Sequence, residues 1–333
     1  MRMERQTLFE LKDVRVWFPI RRGVPKRTVG HVKAVDGISL NIFHGETLGI
    51  VGESGCGKTT LGKTMMKLIQ PTGGTLLFRL EDEMRDINGL NAKDTLAFRK
   101  RVQMIFQDPY SALNPMKKIY TAFEEPLKVH GVASRAKREQ IMCEALKLVN
   151  IPADYLYKYP HEFSGGQRQR ICIARAMQVN PEVLVCDEAV SALDVSIQAQ
   201  VLNLMKKIQR ERGLTFVFIA HDLSVVEYMS DRILVMYLGE GMELADAREL
   251  CSNPLHPYTQ SLLSAVPVPV LNHKKQRVIL KGDVPSPINK PQGCPFHERC
   301  AQCMDICRRE KPPLREAGEN GQHFVACHLY AER

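Results

Sequence analysis

No apolar run in this 333-residue chain is long enough to cross a bilayer. The longest, residues 183–186 and 215–220, fall far short of the roughly 20 apolar residues that a membrane helix needs. The basic N-terminus is not followed by an apolar segment, so no signal peptide is expected and the expected place is the cytosol, unless a partner holds the chain at a membrane. Zinc fingers, a basic stripe studded with aromatics and a recognition-helix pattern are also missing. The formal charge of +9 therefore does not by itself mark a nucleic-acid binder. Its clusters at Arg21-Arg22, Lys26-Arg27 and residues 274–277 suit acidic surfaces of any kind, and a solvated basic face explains them more simply. No internal repeat is evident.

What remains is an ordinary globular composition, 44% hydrophobic and 25% charged, at a length that favours one large domain with an appendage over two equal domains. Residues 8–18 and 31–42 read as antiparallel strands joined by a basic loop, and Gly45-Glu46 turns the chain into a short buried strand at 47–51. A helix follows through 60–68, residues 71–74 end it, and strands are expected at 75–78 and 101–106. From about 119 to 156 the chain becomes helical and charged, with an amphipathic helix at 136–149 carried by Ile141, Ala145 and Leu148. Beyond it come a helix after Gly166, a strand at 183–186, a long helix at 195–211 and a strand at 215–219. Strands alternating with helices predict an α/β core with a parallel sheet. After Cys251 prolines accumulate, so the tail is expected to be extended or turning, with short helices at 258–264 and 300–308.

Three stretches carry chemistry. Gly52-Glu53-Ser54-Gly55-Cys56-Gly57-Lys58-Thr59 matches the phosphate-loop pattern, in which glycines let successive amides face phosphate oxygens at a helix N-terminus. Lys58 is expected to contact the β- and γ-phosphates and Thr59 to supply an oxygen to Mg²⁺. Cys56 reads either as a redox switch or, more simply, as a small residue of the loop. Val183-Leu184-Val185-Cys186-Asp187-Glu188 delivers one carboxylate, Asp187, for magnesium and a neighbour, Glu188, suited to polarise water. Phe163-Ser164-Gly165-Gly166-Gln167 opens a helix with a glycine pair, an anion site that the chain's own nucleotide does not need. The combination points to an ATPase in which each of two chains completes the other's site.

These motifs resemble the ATP-binding subunits of ABC transporters, and more narrowly those of the peptide importers, over nearly the whole chain. The resemblance implies a P-loop ABC nucleotide-binding domain at 7–250, with an N-terminal antiparallel β subdomain and a helical subdomain inserted at about 115–165. A C-terminal cysteine-containing extension would cover 251–333. It implies that Gly52, Ser54, Gly55, Cys56, Gly57, Lys58, Thr59 and Thr60 hold ATP and that Thr59, Asp187 and Gln107 hold Mg²⁺. Catalysis would fall to Glu188, His221, Lys58 and Gln107. His221, in Ile219-Ala220-His221-Asp222, matches the switch histidine. Gln107, in Phe106-Gln107-Asp108-Pro109, matches the glutamine that senses magnesium and γ-phosphate; on chemistry alone it could equally cap a turn. Ser164, Gly165, Gly166 and Gln167 would bind the opposite subunit's γ-phosphate. Asp194, closing Ser191-Ala192-Leu193-Asp194, would cross the dimer interface, cap the following helix, or both. Phe18 resembles the adenine-stacking aromatic, with Trp17 as its local competitor. Two departures remove no catalytic group: Ala189 stands where the family usually has proline, and Glu81-Asp82-Glu83 where it commonly has a glycine turn.

The narrower resemblance rests on Tyr110-Ser111-Ala112-Leu113-Asn114-Pro115, on His256-Pro257-Tyr258-Thr259, and on the tail cysteines. Cys294, Cys300, Cys307 and Cys327 are spaced C-x5-C-x6-C-x19-C, and the resemblance implies a [4Fe–4S] cluster on them, with zinc or no metal as alternatives. Cys303 is extra to the pattern, and His297, His323 and His328 read as turn or surface residues before ligands. Implied partners are two membrane permeases, a second paralogous ATP-binding subunit and, indirectly, an extracytoplasmic solute-binding protein. No nucleic acid is expected. This chain looks closer to the second of the two paired ATPase subunits, lying peripherally at the cytoplasmic face of the plasma membrane. Import of nickel or another small solute is the alternative within the class. A soluble ABC ATPase acting on DNA or ribosomes is the alternative outside it, though the coiled-coil insertion and second nucleotide domain that such proteins tend to show are missing.

Overall fold

The computed structural model describes residues 6–23, 27–265, 280, 282–317 and 322–330; Lys26 and the basic run at 274–277 lie outside them. The chain begins with a long hairpin, β1 (Thr7–Arg22) and β2 (Arg27–Phe43), then β3 (Thr47–Val51) and helix α1 (Lys58–Met65). A second hairpin follows, β4 (Gly73–Leu80) and β5 (Glu83–Asp86), then α2 (Ala92–Arg101) and β6 (Val102–Ile105). Four helices come next, α3 (Pro109–Ala112), α4 (Ile119–Val129), α5 (Arg135–Leu148) and α6 (Gly165–Met177). The chain returns through β7 (Val183–Asp187), α7 (Val195–Arg212), β8 (Thr215–Ile219), α8 (Leu223–Met229), β9 (Arg232–Tyr237) and β10 (Glu240–Asp246). Helices α9 (Ala247–Ser252), α10 (Pro257–Ser264) and α11 (Asp305–Arg309) and the two-residue strands β11 (Arg315–Glu316) and β12 (Phe324–Val325) complete it.

Two sheets organise these elements. β2-β1-β4-β5 form an antiparallel sheet, and β11-β12-β10-β9-β3-β8-β7-β6 form a second in which β9, β3, β8, β7 and β6 are parallel. Every residue of β3, β7 and β8 is buried. That is why these strands read as unbroken apolar runs rather than alternating ones: helices cover both faces of a parallel sheet. Between the sheets Phe9, Phe78 and Phe98 pack ring to ring, with centroids 4.6 Å apart for the first pair and 5.1 Å for the second. Glu81 and Asp82 both take positive φ in the β4–β5 turn, so the acidic stretch makes the reversal that glycine would make more easily.

The helix at 135–148 buries Arg138, Met142, Ala145 and Leu146, a face turned by one residue from the expected one. Arg138 is buried because Glu124 on α4 receives its Nη2 at 3.0 Å and the carbonyls of Val132 and Ala133 accept its Nη1. α2, β9 and β10 have no counterpart among the sequence expectations. Among the described residues of the tail, β12 pairs antiparallel with β10, Glu243 opposite Val325 and Leu244 opposite Phe324, and so extends the central sheet.

Candidate functional site

Parallel neighbours end at the same edge, and that edge collects the polar groups. β3 runs into the loop 52–57 and α1, β6 into Gln107, β7 into Asp187 and Glu188, and β8 into His221. The loop's curl depends on Gly57, which caps α1 with φ 102°; a Cβ there would stand 2.0 Å from the Ala34 carbonyl oxygen. Ser54 and Gly55 form its exposed crest, Cys56 is buried beneath, and Thr60 is half-buried in the first turn of α1. Burial pushes the Cys56 thiol up, which favours packing over thiolate chemistry. Lys58 Nζ donates to the carbonyls of Gly52 at 2.7 Å and Glu53 at 3.0 Å, holding its charge inside the loop.

Thr59 Oγ1 donates to Asp187 Oδ1 at 2.7 Å, so the two groups expected to share magnesium touch. Burial raises the Asp187 carboxyl, against hydrogen bonding from Thr59, and a cation would relieve the buried charge. Gln107 Nε2 donates to Glu188 Oε2 at 2.7 Å, while His221 Nδ1 lies 3.7 Å from Glu188 Oε1. Glu188 is held at φ 47° with its N–H on the Ile219 carbonyl at 2.9 Å, so its carboxylate is aimed by backbone on both sides of the β7–β8 pair. Ala189 beside it is buried. Phosphate loop, magnesium pair and the Gln107–Glu188–His221 set thus share one sheet edge.

The remaining expected site residues lie apart from this set. Ser164 caps α6: Gln167 N–H donates to Ser164 Oγ at 3.3 Å and Ser164 N–H to Gln167 Oε1 at 3.0 Å, a capping box. Gly165 and Gly166 pack toward α7, where a Cβ on Gly166 would stand 2.4 Å from Ile197 Cγ2. Asp194 caps α7 through Ile197 N–H at 3.0 Å, a bond that holds its carboxyl below the usual range. Phe18 is 41% exposed on β1, whereas Trp17 is tied to Asp36 through Nε1 at 3.0 Å.

The [4Fe–4S] cluster expected on Cys294, Cys300, Cys307 and Cys327 is overturned, and zinc with it. Among the described residues no group of three or more His, Cys, Asp or Glu side chains is arranged to hold a metal ion. The thiols serve packing instead. Cys294 and Cys307 are buried against the apolar core beside Phe296, their backbones joined from Cys294 N–H to the Cys307 carbonyl at 2.8 Å. Burial raises the Cys294 thiol to about 12 and the Cys327 thiol to about 11, keeping both neutral. The neighbouring imidazoles are committed elsewhere: His297 Nδ1 to the Cys294 carbonyl at 2.8 Å, His323 Nε2 to Glu243 at 2.6 Å, His328 Nε2 to the Glu310 carbonyl at 2.9 Å.

Sequence reasoning missed residues that join the tail to the phosphate loop. Arg299 reaches Glu53 with two nitrogens, and Tyr258 Oη accepts from Glu53 N–H at 2.9 Å. The available signal was the pair of motifs around Tyr258 and Cys300, taken only as markers of resemblance.

Comparison with known proteins gives the same picture. Residues 35–191 match the family model described as ABC transporter, and residues 242–307 match the one described as oligopeptide/dipeptide transporter, C-terminal region. The chain is 52% identical, over 98% of its length and 98% of the relative's, to the oligopeptide transport ATP-binding protein AppF of Bacillus subtilis (strain 168). A dimeric post-hydrolysis structure of the ATP-binding cassette MJ0796 bound to ADP and Pi covers 72% of this chain and 99% of its own, at 28% identity and TM-score 0.62. Another dimeric structure of that cassette matches equally, at TM-score 0.62 and 28% identity, over 72% of this chain and 99% of its own.

Proposed function

The chain belongs to the ATP-binding subunits of ABC transporters, and from that premise we propose that it energises import of oligopeptides or dipeptides. The observation that carries the ATPase reading is the single sheet edge holding Lys58, the Thr59–Asp187 pair and the Gln107–Glu188–His221 set. The peptide reading is supported by the oligopeptide/dipeptide C-terminal region at 242–307 and by the 52% identity to an oligopeptide transport protein. In this reading the ATPase domain spans 7–250, with helices inserted at about 115–165, and the extension spans 251–333.

The loop amides and Lys58 bind the phosphates, and the crest residues Ser54 and Gly55 leave the backbone open for them. Thr59 and Asp187, with Gln107 near, are the residues to hold Mg²⁺, which supplies charge neutralisation for the β- and γ-phosphates. Glu188 accepts a proton from the attacking water, and Gln107 and His221 hold that carboxylate in register. Phe18 offers its face to adenine. Ser164 to Gln167 meet the γ-phosphate of a second subunit, and Asp194 lies at the start of the helix that packs beside them. Closing two chains on ATP therefore joins two sites, and hydrolysis removes the bridge.

The wider assembly is that of an ABC transporter: paired ATPase subunits working with membrane permeases. A paralogous second subunit, two permeases and an extracytoplasmic solute-binding protein complete our proposal. No described helix is long and apolar enough to cross a membrane, which suits a peripheral subunit at the cytoplasmic face of the plasma membrane. The test is reconstitution of the complex in vesicles with the solute-binding protein outside and ATP within. Uptake of labelled di- or oligopeptides is expected. Uptake of nickel but not peptides would overturn the substrate and keep the ATPase.

A further inference from the structure

Glu53, the second residue of the phosphate loop, is gripped at each of its polar groups. Its carboxylate receives Arg299 Nη1 at 2.7 Å on one oxygen and Nη2 at 3.1 Å on the other. Its N–H donates to Tyr258 Oη at 2.9 Å, and its carbonyl accepts Lys58 Nζ at 3.0 Å. Arg299 and Tyr258 belong to the tail, 205 and 246 residues away for the Tyr258 and Arg299 contacts respectively. Neither is a loose surface partner. The Arg299 side chain is 8% exposed and Tyr258 is fully buried, seated against Tyr237 and Phe296 with ring centroids 4.8 and 5.2 Å away.

We propose that Arg299 and Tyr258 are positioning residues for ATP: through Glu53 they set the loop carbonyls that hold Lys58, making nucleotide affinity depend on the docked tail. A two-pronged guanidinium fixes both distance and plane of a carboxylate, which a lysine cannot do. The tyrosine hydroxyl fixes the adjoining peptide. That peptide, which joins Gly52 to Glu53, carries the Gly52 carbonyl, so moving it moves one of the two oxygens that receive Lys58 Nζ, the one at 2.7 Å. The clamp acts on how the loop holds Lys58 for the incoming phosphates and touches no member of the Gln107–Glu188–His221 set, so its effect is expected in KM and not in kcat. A structural role alone would give a different result. The tail has another buried anchor, His323 Nε2 on Glu243 at 2.6 Å, that involves no residue of the loop.

This inference rests on the ATPase reading, and the experiment separates the two. In the assembled complex, Arg299→Gln is expected to raise KM for ATP about tenfold with kcat within about twofold, and Arg299→Lys to recover part of the loss. Glu53→Gln should behave alike, and the double variant should be no worse than either single one. Binding of trinitrophenyl-ATP should weaken in parallel. His323→Ala should lower the melting temperature with KM unchanged. An unchanged KM and analogue affinity in Arg299→Gln, or additive effects of Arg299→Gln and Glu53→Gln, would overturn the clamp. Absence of ATP turnover in the wild-type complex would instead overturn the ATPase reading, and analogue binding would still decide the clamp.

Discussion

Two regions that touch at Glu53 treat their polar groups in opposite ways. At the nucleotide edge Gln107 and His221 are exposed and Glu188 is half-buried, hydrogen-bonded to Gln107 and with His221 Nδ1 3.7 Å away. In the extension the polar groups turn inward: His256, His323, Cys294 and Cys307 are all buried, His256 Nδ1 accepting from Tyr258 N–H, His323 Nε2 paired with Glu243 and the two thiols packed in the apolar core. The same residue types that make chemistry at an open edge make a core when they face each other across packed aromatic rings. Spacing alone does not distinguish the two; what the side chains face does.

That contrast can be sharpened by substitution. The largest effect is expected at Gly57, where Gly57→Val places a side chain on the Ala34 carbonyl at a left-handed φ; it should cost about 3 kcal/mol of stability and abolish ATP binding, read by melting and by nucleotide titration. Next is the extension's response to acid. His256 is buried and neutral, with Nδ1 accepting Tyr258 N–H at 3.0 Å, and burial lowers its pKa to about 4 from 6.5. The unfolded chain therefore takes up the proton first as pH falls. The stabilisation from the neutral ring is complete above about 6.5 and is lost toward 4, up to about 3 kcal/mol in all. Denaturant melts at pH 7 and pH 5 should show the loss in wild type and a smaller one in His256→Gln.

Smaller still is Cys307→Ala, expected to cost about 1 kcal/mol through lost packing while KM for ATP stays put. A shift in KM without loss of stability would break the contrast from the extension's side. Gln107→Ala should have the least effect on stability, within about 0.5 kcal/mol for an exposed residue. Its turnover should nonetheless fall roughly ten- to a hundredfold, because Glu188 loses the partner at 2.7 Å. Steady-state hydrolysis in the assembled complex reads that fall.

Legibility in the sequence followed the same division. Buried parallel strands announce themselves as apolar runs, and each chemical group at the edge sits directly beyond such a run: Lys58 after 47–51, Asp187 and Glu188 after 183–186, His221 after 215–219. Strand order then does the assembling. The cysteines had no such frame. Their spacing is compatible with a ligand set, but short turns and two-residue strands fix which way each points, and those depend on tertiary pairing with β10. α2 escaped notice because Phe98 is its one buried residue, too little apolar signal for a helical period. The Arg299–Glu53 contact spans 246 residues, and no local pattern encodes it.

The central claim is that Glu188, aimed by Gln107 and His221, is the base that activates water. Glu188→Gln keeps the size and loses the ability to accept the proton. Measured in the assembled complex by nucleotide retention and phosphate release, it should hold ATP as tightly as wild type while releasing phosphate at least about a hundredfold more slowly. Phosphate release near the wild-type rate would contradict the account, because the proton would then be leaving by a route that does not involve this carboxylate.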